Sequence, residues 1–137
     1  SREPVKRHTS NSEFDITNLN KLPRVEIILS YSNATALFVD AAVKAGAKGI
    51  VTAGVGNGNL TTVMQDELAK VRKRGIAVVR SSRIMTGPTA QWDEVDDDAL
   101  GFAASWFNNP YRSRVLLMLA LTKTNDYKEI QRMFSEY

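Results

Sequence analysis

Three apolar runs separated by two segments of helical period constrain this chain more than any other feature. Val25 to Tyr31, Gly49 to Ala53 and Ile76 to Arg80 are short, β-branched and nearly continuous in hydrophobicity. Such runs predict strands covered on both faces. Between the first two, Ala34 to Ala45 places Leu37, Phe38, Ala41, Ala42 and Ala45 at helical spacing, and Gly46 follows as a stop. Between the second and third, Leu60 to Arg74 sets Leu60, Val63, Met64, Leu68 and Val71 on one face, and Gly75 follows. Strand, helix, strand, helix, strand is the alternation of a parallel sheet flanked by helices and joined by right-handed crossovers.

Beyond the third run, Ser81 to Asp98 reads as a long polar loop, and Leu100 to Ser105 as a short fourth strand. Pro110 opens a helix over Tyr111 to Thr122, because proline suits the first helical turn. Asp126 caps a last helix that turns Ile130, Met133 and Phe134 inward. The expectation is a small open α/β fold, mainly parallel, with about four strands flanked by helices, Rossmann-like in its alternation. Residues 1–22 are polar and aperiodic, and read as a linker or leading arm with Phe14, Ile16, Leu19 and Leu22 available to pin it down. Residues 23–137 make the domain.

Composition narrows the function classes. The chain has 137 residues, 43% of them hydrophobic and 24% charged, which suits one globular domain and excludes intrinsic disorder. Its densest apolar run, Val115 to Leu121, is too short to span a bilayer, and the basic start is followed by polar residues rather than by a signal-peptide core. With no cysteine and a single histidine, His8, neither thiol chemistry nor a multi-histidine metal site is available, so no cofactor is expected. The net charge is +3, with basic clusters at Arg2, Lys6 and Arg7 and at Lys70, Arg72, Lys73 and Arg74. The second cluster ends a predicted helix, where cations complement the dipole. It lacks the interleaved aromatics of a single-strand platform, so no nucleic acid is expected as a partner.

In open parallel sheets, ligands gather beyond the carboxyl ends of the strands. That rule singles out Ser32–Asn33, the stretch Gly54-Val55-Gly56-Asn57-Gly58-Asn59, and the loop from Ser81 to Asp98. The glycine-rich stretch has its third glycine one place early for a dinucleotide fingerprint, and no Gly-Lys-Ser/Thr makes it a P-loop. Two readings stay open. The glycines permit a tight turn and Asn59 caps the following helix; or the asparagine amides face a site that suits a zwitterionic small molecule. The acidic run Asp93-Glu94-Val95-Asp96-Asp97-Asp98 is likewise either solvated or a source of one carboxylate for a ligand ammonium group. Trp92 beside it is expected to cover the loop. His8 has serines nearby, but there is no G-x-S-x-G elbow, and a catalytic role is not expected.

These residues, in order, resemble a known family. Arg7-His8-Thr9-Ser10, Phe14-Asp15 and Leu22-Pro23 are similar to the start of the smaller C-terminal domain of bacterial type II L-asparaginases. The resemblance continues through Gly49-Ile50-Val51, Ala53 to Leu60, Val78 to Arg83, Thr86-Gly87 and Glu94 to Asp97, and closes with Asn109-Pro110, Arg114 to Leu117, Ala120 to Thr122 and Tyr137. It implies an amidohydrolase that converts L-asparagine, and in some members L-glutamine, to the acid and ammonia. It places the nucleophilic threonine, with a second threonine, an aspartate and a lysine, in a larger N-terminal domain whose motifs this sequence lacks. The site would then be shared between neighbouring subunits of a homotetramer, in the periplasm or outside the cell. By position, the resemblance gives Asn59 as a substrate-orienting residue and Glu94 as the carboxylate that holds the substrate ammonium and supports the threonine machinery. Asparagine at the turn leans toward asparagine over glutamine. The other class to weigh is a non-catalytic amino-acid-binding or oligomerisation domain.

Overall fold

The structure, a computed structural model, describes residues 6–84 and 86–137. Four strands, β1 (Val25–Leu29), β2 (Gly49–Gly54), β3 (Ala77–Ser82) and β4 (Ala103–Ala104), lie in the order β1-β2-β3-β4, and every pairing is parallel. Five helices complete the fold: α1 (Leu37–Lys44), α2 (Thr62–Lys73), α3 (Asp97–Leu100), α4 (Pro110–Ala120) and α5 (Tyr127–Glu136). The fold class expected from the alternation is the one observed. Val25 stands level with Gly49 and Gly49 with Ala77, so the carboxyl ends of the three long strands reach one edge together.

Side chains alternate across the sheet and make two cores. On one face Val25, Val51, Ala77, Val79 and Ala103 pack against Leu116, Leu117, Ala120, Ile130, Met133 and Phe134 of α4 and α5. On the other, Ile28, Ile50 and Val78 pack against Val39 and Ala42 of α1, Met64, Leu68 and Val71 of α2, and Phe102. Each fully buried aliphatic or aromatic side chain contributes roughly 1.5–3 kcal/mol.

The helix ends follow local chemistry. Pro110 opens α4, and the Asn109 side chain accepts the Arg112 N–H at 2.9 Å. Asp126 caps α5, which turns Ile130, Met133 and Phe134 inward as expected. The basic end of α2 is not wholly solvated. Arg72 donates to the carbonyls of Gly101 at 2.9 Å and Asn125 at 2.8 Å, stitching α2 to the ends of α3 and the start of α5.

Three expectations change. α1 buries Val39 and Ala42 and leaves Leu37 and Phe38 exposed by 65% and 51%. Its apolar residues run nearly all the way round, so the sheet beneath, and not periodicity, chooses the stripe. In α2, Val63 faces solvent. The cap of α2 is Thr61, whose hydroxyl accepts the Met64 N–H at 3.3 Å, and not Asn59. Asn59 pairs with Val55 instead, which delays the helix by two residues.

The described part of the leading arm lies on α4 and α5. Arg7 N–H donates to the Glu136 carbonyl at 2.7 Å, and Arg132 holds Glu13 at 3.0 Å. Phe14 stacks on Tyr137 with ring centroids 5.1 Å apart, and Ile16 and Leu19 stay exposed. Arg2 of the first basic cluster lies outside the described residues.

Candidate functional site

β2 ends in a compact loop whose two ends meet. Val55 N–H donates to the Asn59 carbonyl at 3.2 Å, and Asn59 N–H returns to the Val55 carbonyl at 2.8 Å. Glycine is required at two positions. A Cβ on Gly54 would overlap the Gly58 carbonyl group and stand 2.5 Å from the Asn59 oxygen. Gly58 has φ +78°, and a Cβ there would lie 2.8 Å from the Thr89 methyl group. The loop is therefore closed tightly enough to aim the asparagines at the segment that follows β3.

That segment answers residue by residue. The Asn57 amide oxygen accepts the Ala90 N–H at 2.7 Å, and its amide nitrogen reaches Asp93 at 3.3 Å. Asn59 donates from its amide nitrogen to the Glu94 carboxylate, joining two residues 35 apart in the chain. The Asn59 amide oxygen is buried without a hydrogen-bond partner among the described residues. Glu94 itself is exposed. The two candidate residues thus stand side by side at the carboxyl edge of the sheet, with the carboxylate open to solvent.

The acidic run is not a uniformly solvated stretch. Asp96 caps α3 by accepting the Ala99 N–H at 3.0 Å. Asp98 accepts the Trp92 indole N–H at 2.8 Å. The Tyr127 phenol of α5 is pushed up, by burial first and then by the neighbouring Asp98 carboxylate. Trp92 does not cover the loop: it is 67% exposed, with φ +57°. Asp97 is fully buried against an equally buried Arg80 from β3, in a two-toothed pairing at 2.6 Å on each side. Two further donors of Arg80 reach the carbonyls of Asn57 at 2.7 Å and Ala90 at 3.0 Å. The sequence offers Asp97 only as one of the carboxylates of the acidic run and Arg80 only as the close of a strand, without pairing them. The available signal was an arginine closing an otherwise apolar strand, since a buried guanidinium requires a carboxylate.

Of the other segments at the carboxyl edge, Ser32–Asn33 is exposed, and Asn33 takes a left-handed φ of +62°. His8 caps the short 3-10 turn Thr9–Asn11 through the Ser10 N–H at 3.1 Å. Among the described residues, no group of three or more His, Asp or Glu side chains is placed to hold a metal ion, and no helix is long and apolar enough to cross a membrane.

The family model for the glutaminase/asparaginase C-terminal domain matches residues 24–134, which contain the glycine-rich loop, the acidic run and all four strands. The chain belongs to this family. It is 53% identical over 136 residues to L-asparaginase 2 of Escherichia coli K12, across 99% of this chain and 39% of that protein. It is 48% identical to a probable periplasmic L-asparaginase of Haemophilus influenzae, across 99% of this chain and 39% of that protein. It is 44% identical to a glutaminase-asparaginase of Pseudomonas fluorescens, across 99% of this chain and 38% of that protein. The chain therefore spans about two fifths of the length of these relatives.

Proposed function

We propose that this chain acts as the C-terminal domain of a type II L-asparaginase and completes the active site of a neighbouring subunit. The observation that carries the reading is the contact between Asn59 and Glu94 at the carboxyl edge of the sheet, with the Glu94 carboxylate exposed. L-asparagine presents an ammonium group and a carboxamide. A carboxylate fixed by an amide is a suitable partner for the ammonium, because hydrogen bonds between ionised groups are the strong ones. Asn59 takes one Glu94 oxygen and leaves the other for the substrate. Substrate held in this way is oriented toward a threonine nucleophile supplied by an N-terminal domain, and orientation of this kind lowers the barrier substantially. Attack on the side-chain amide releases ammonia, and water then frees L-aspartate. A homotetramer, with each site shared between two subunits, and a periplasmic location belong to the same reading; a relative named as periplasmic supports the location. L-glutamine enters as a slower substrate, since relatives include glutaminase-asparaginases.

The test is ammonia release from L-asparagine, by this chain alone and by the chain combined with a type II N-terminal domain. Activity is expected only in the combination, and activity of the chain alone would overturn the division of labour. In the combined enzyme, Glu94→Ala is expected to lower kcat/KM for L-asparagine by about 10²-fold. A loss smaller than about twofold removes Glu94 from the site. Asn59→Ser is expected to move the ratio of asparagine to glutamine turnover toward glutamine, and an unchanged ratio removes the specificity role of this residue.

A further inference from the structure

Arg80 is the largest fully buried side chain in the described structure. A charge in that position is an expensive choice unless its geometry is used, because a well-packed apolar pair is often equally stable. Its donors are spread over three segments of the chain. Two go to Asp97, which opens α3 three residues after Glu94. One goes to the carbonyl of Asn57, two residues before Asn59. One goes to the carbonyl of Ala90, four residues before Glu94. The Asn57 side chain then repeats the link between turn and loop, accepting the Ala90 N–H at 2.7 Å. Asn59 is half-buried and Glu94 exposed, and these contacts connect the turn that carries the one to the loop that carries the other. The planar guanidinium meets a carboxylate and two carbonyls at fixed directions, which a lysine ammonium does not reproduce.

We infer that Arg80 is a positioning residue for the Asn59–Glu94 site, setting the distance and direction between these two side chains from behind, without touching substrate. The inference rests on the reading of Asn59 and Glu94 as substrate-contacting residues. Asn57 is the second member of the same device, acting from the turn toward the loop.

The experiment is a mutant cycle in a single polypeptide that joins a type II N-terminal domain to this chain. Arg80→Lys keeps the buried charge and removes the fork. It is expected to lower kcat/KM for L-asparagine by about 10- to 100-fold, the scale of a small misplacement of reacting groups. Asn57→Ala leaves the buried ion pair intact and is expected to lower it by about 10-fold. A purely structural role would give the same losses with or without Glu94. A positioning role does not: in a Glu94→Ala background each substitution is expected to change kcat/KM by less than about threefold, because the carboxylate they aim is gone. Losses that add in full overturn the inference, as does a loss below about twofold for both single variants. Should Arg80→Lys fail to fold, the Asn57→Ala cycle decides alone. An inert Glu94→Ala removes the reading of the site itself, whereas a damaging Glu94→Ala beside additive Arg80 and Asn57 losses removes only the positioning role.

Discussion

Two strand-to-helix turns lie side by side at the carboxyl edge of the sheet, residues 30–36 after β1 and residues 55–61 after β2. Topologically they do the same thing. The first is held by the Ser30 N–H on the Ala53 carbonyl and the Ala34 N–H on the Tyr31 carbonyl, both near 3 Å, and by the Thr61 hydroxyl on the Ala34 carbonyl at 2.9 Å. Its helix starts at Leu37, with Ala36 in the cap position and no side-chain cap, and leaves Leu37 and Phe38 in solvent. Beside it, the edge strand β1 and α1 enclose an apolar groove of about 650 Å³ lined by Ile27, Leu29, Tyr31, Phe38 and Ala41. The second turn is closed on itself, capped by Thr61, and fastened from below by Arg80. What separates them is a buried charge. A guanidinium beneath the β2 turn has to be satisfied, so the backbone around it is specified in detail. The β1 turn has no such group beneath it and stays a connection.

The largest effect is expected where that charge loses its partner. Asp97→Ala leaves the Arg80 guanidinium buried and unpaired, at a cost of about 3–5 kcal/mol, to be read from the midpoint of urea unfolding. A midpoint close to that of the unaltered chain would mean that the two turns are specified equally loosely. An intermediate effect is expected at Thr61, which joins the turns: its hydroxyl caps α2 and donates to the Ala34 carbonyl at 2.9 Å. Thr61→Ala is expected to cost about 1 kcal/mol in the same measurement, the usual value of a lost cap. The smallest effect belongs to the loosely held turn. Phe38→Ser, on the exposed face of α1, is expected to change the stability of the chain by less than about 0.5 kcal/mol. A larger loss would show that this face is covered in the unaltered chain, and the contrast between the turns would have to be redrawn.

Much of the fold is legible in the chain because its signals are local. The β-branched runs locate β1, β2 and β3 to within a residue or two, since such short apolar runs favour strands; β2 and β3 are buried throughout, whereas the edge strand β1 is buried only in part. Pro110 and Asp126 announced α4 and α5, since caps satisfy backbone groups within one turn. The site is legible only in outline. Asn59 and Glu94 are recognisable through resemblance, but spacing alone does not distinguish Glu94 from Asp93, Asp96, Asp97 or Asp98. Five carboxylates in six positions look alike in one dimension. In the fold, Asp96 caps a helix, Asp97 neutralises Arg80, and Glu94 meets Asn59.

The sequence by itself determined the alternation of strands and helices, the parallel sheet it implies, and the edge at which the long loops gather. Periodicity and capping act over a few residues, so they are written directly in the chain. The tertiary structure alone decided which stripe of α1 is buried, that Thr61 and not Asn59 caps α2, and that Arg80 ties together a turn and a loop far apart in the chain. Those outcomes depend on what the sheet brings within hydrogen-bond reach. Satisfying a buried charge is a condition on distances in space, and distances in space are set by the strand register.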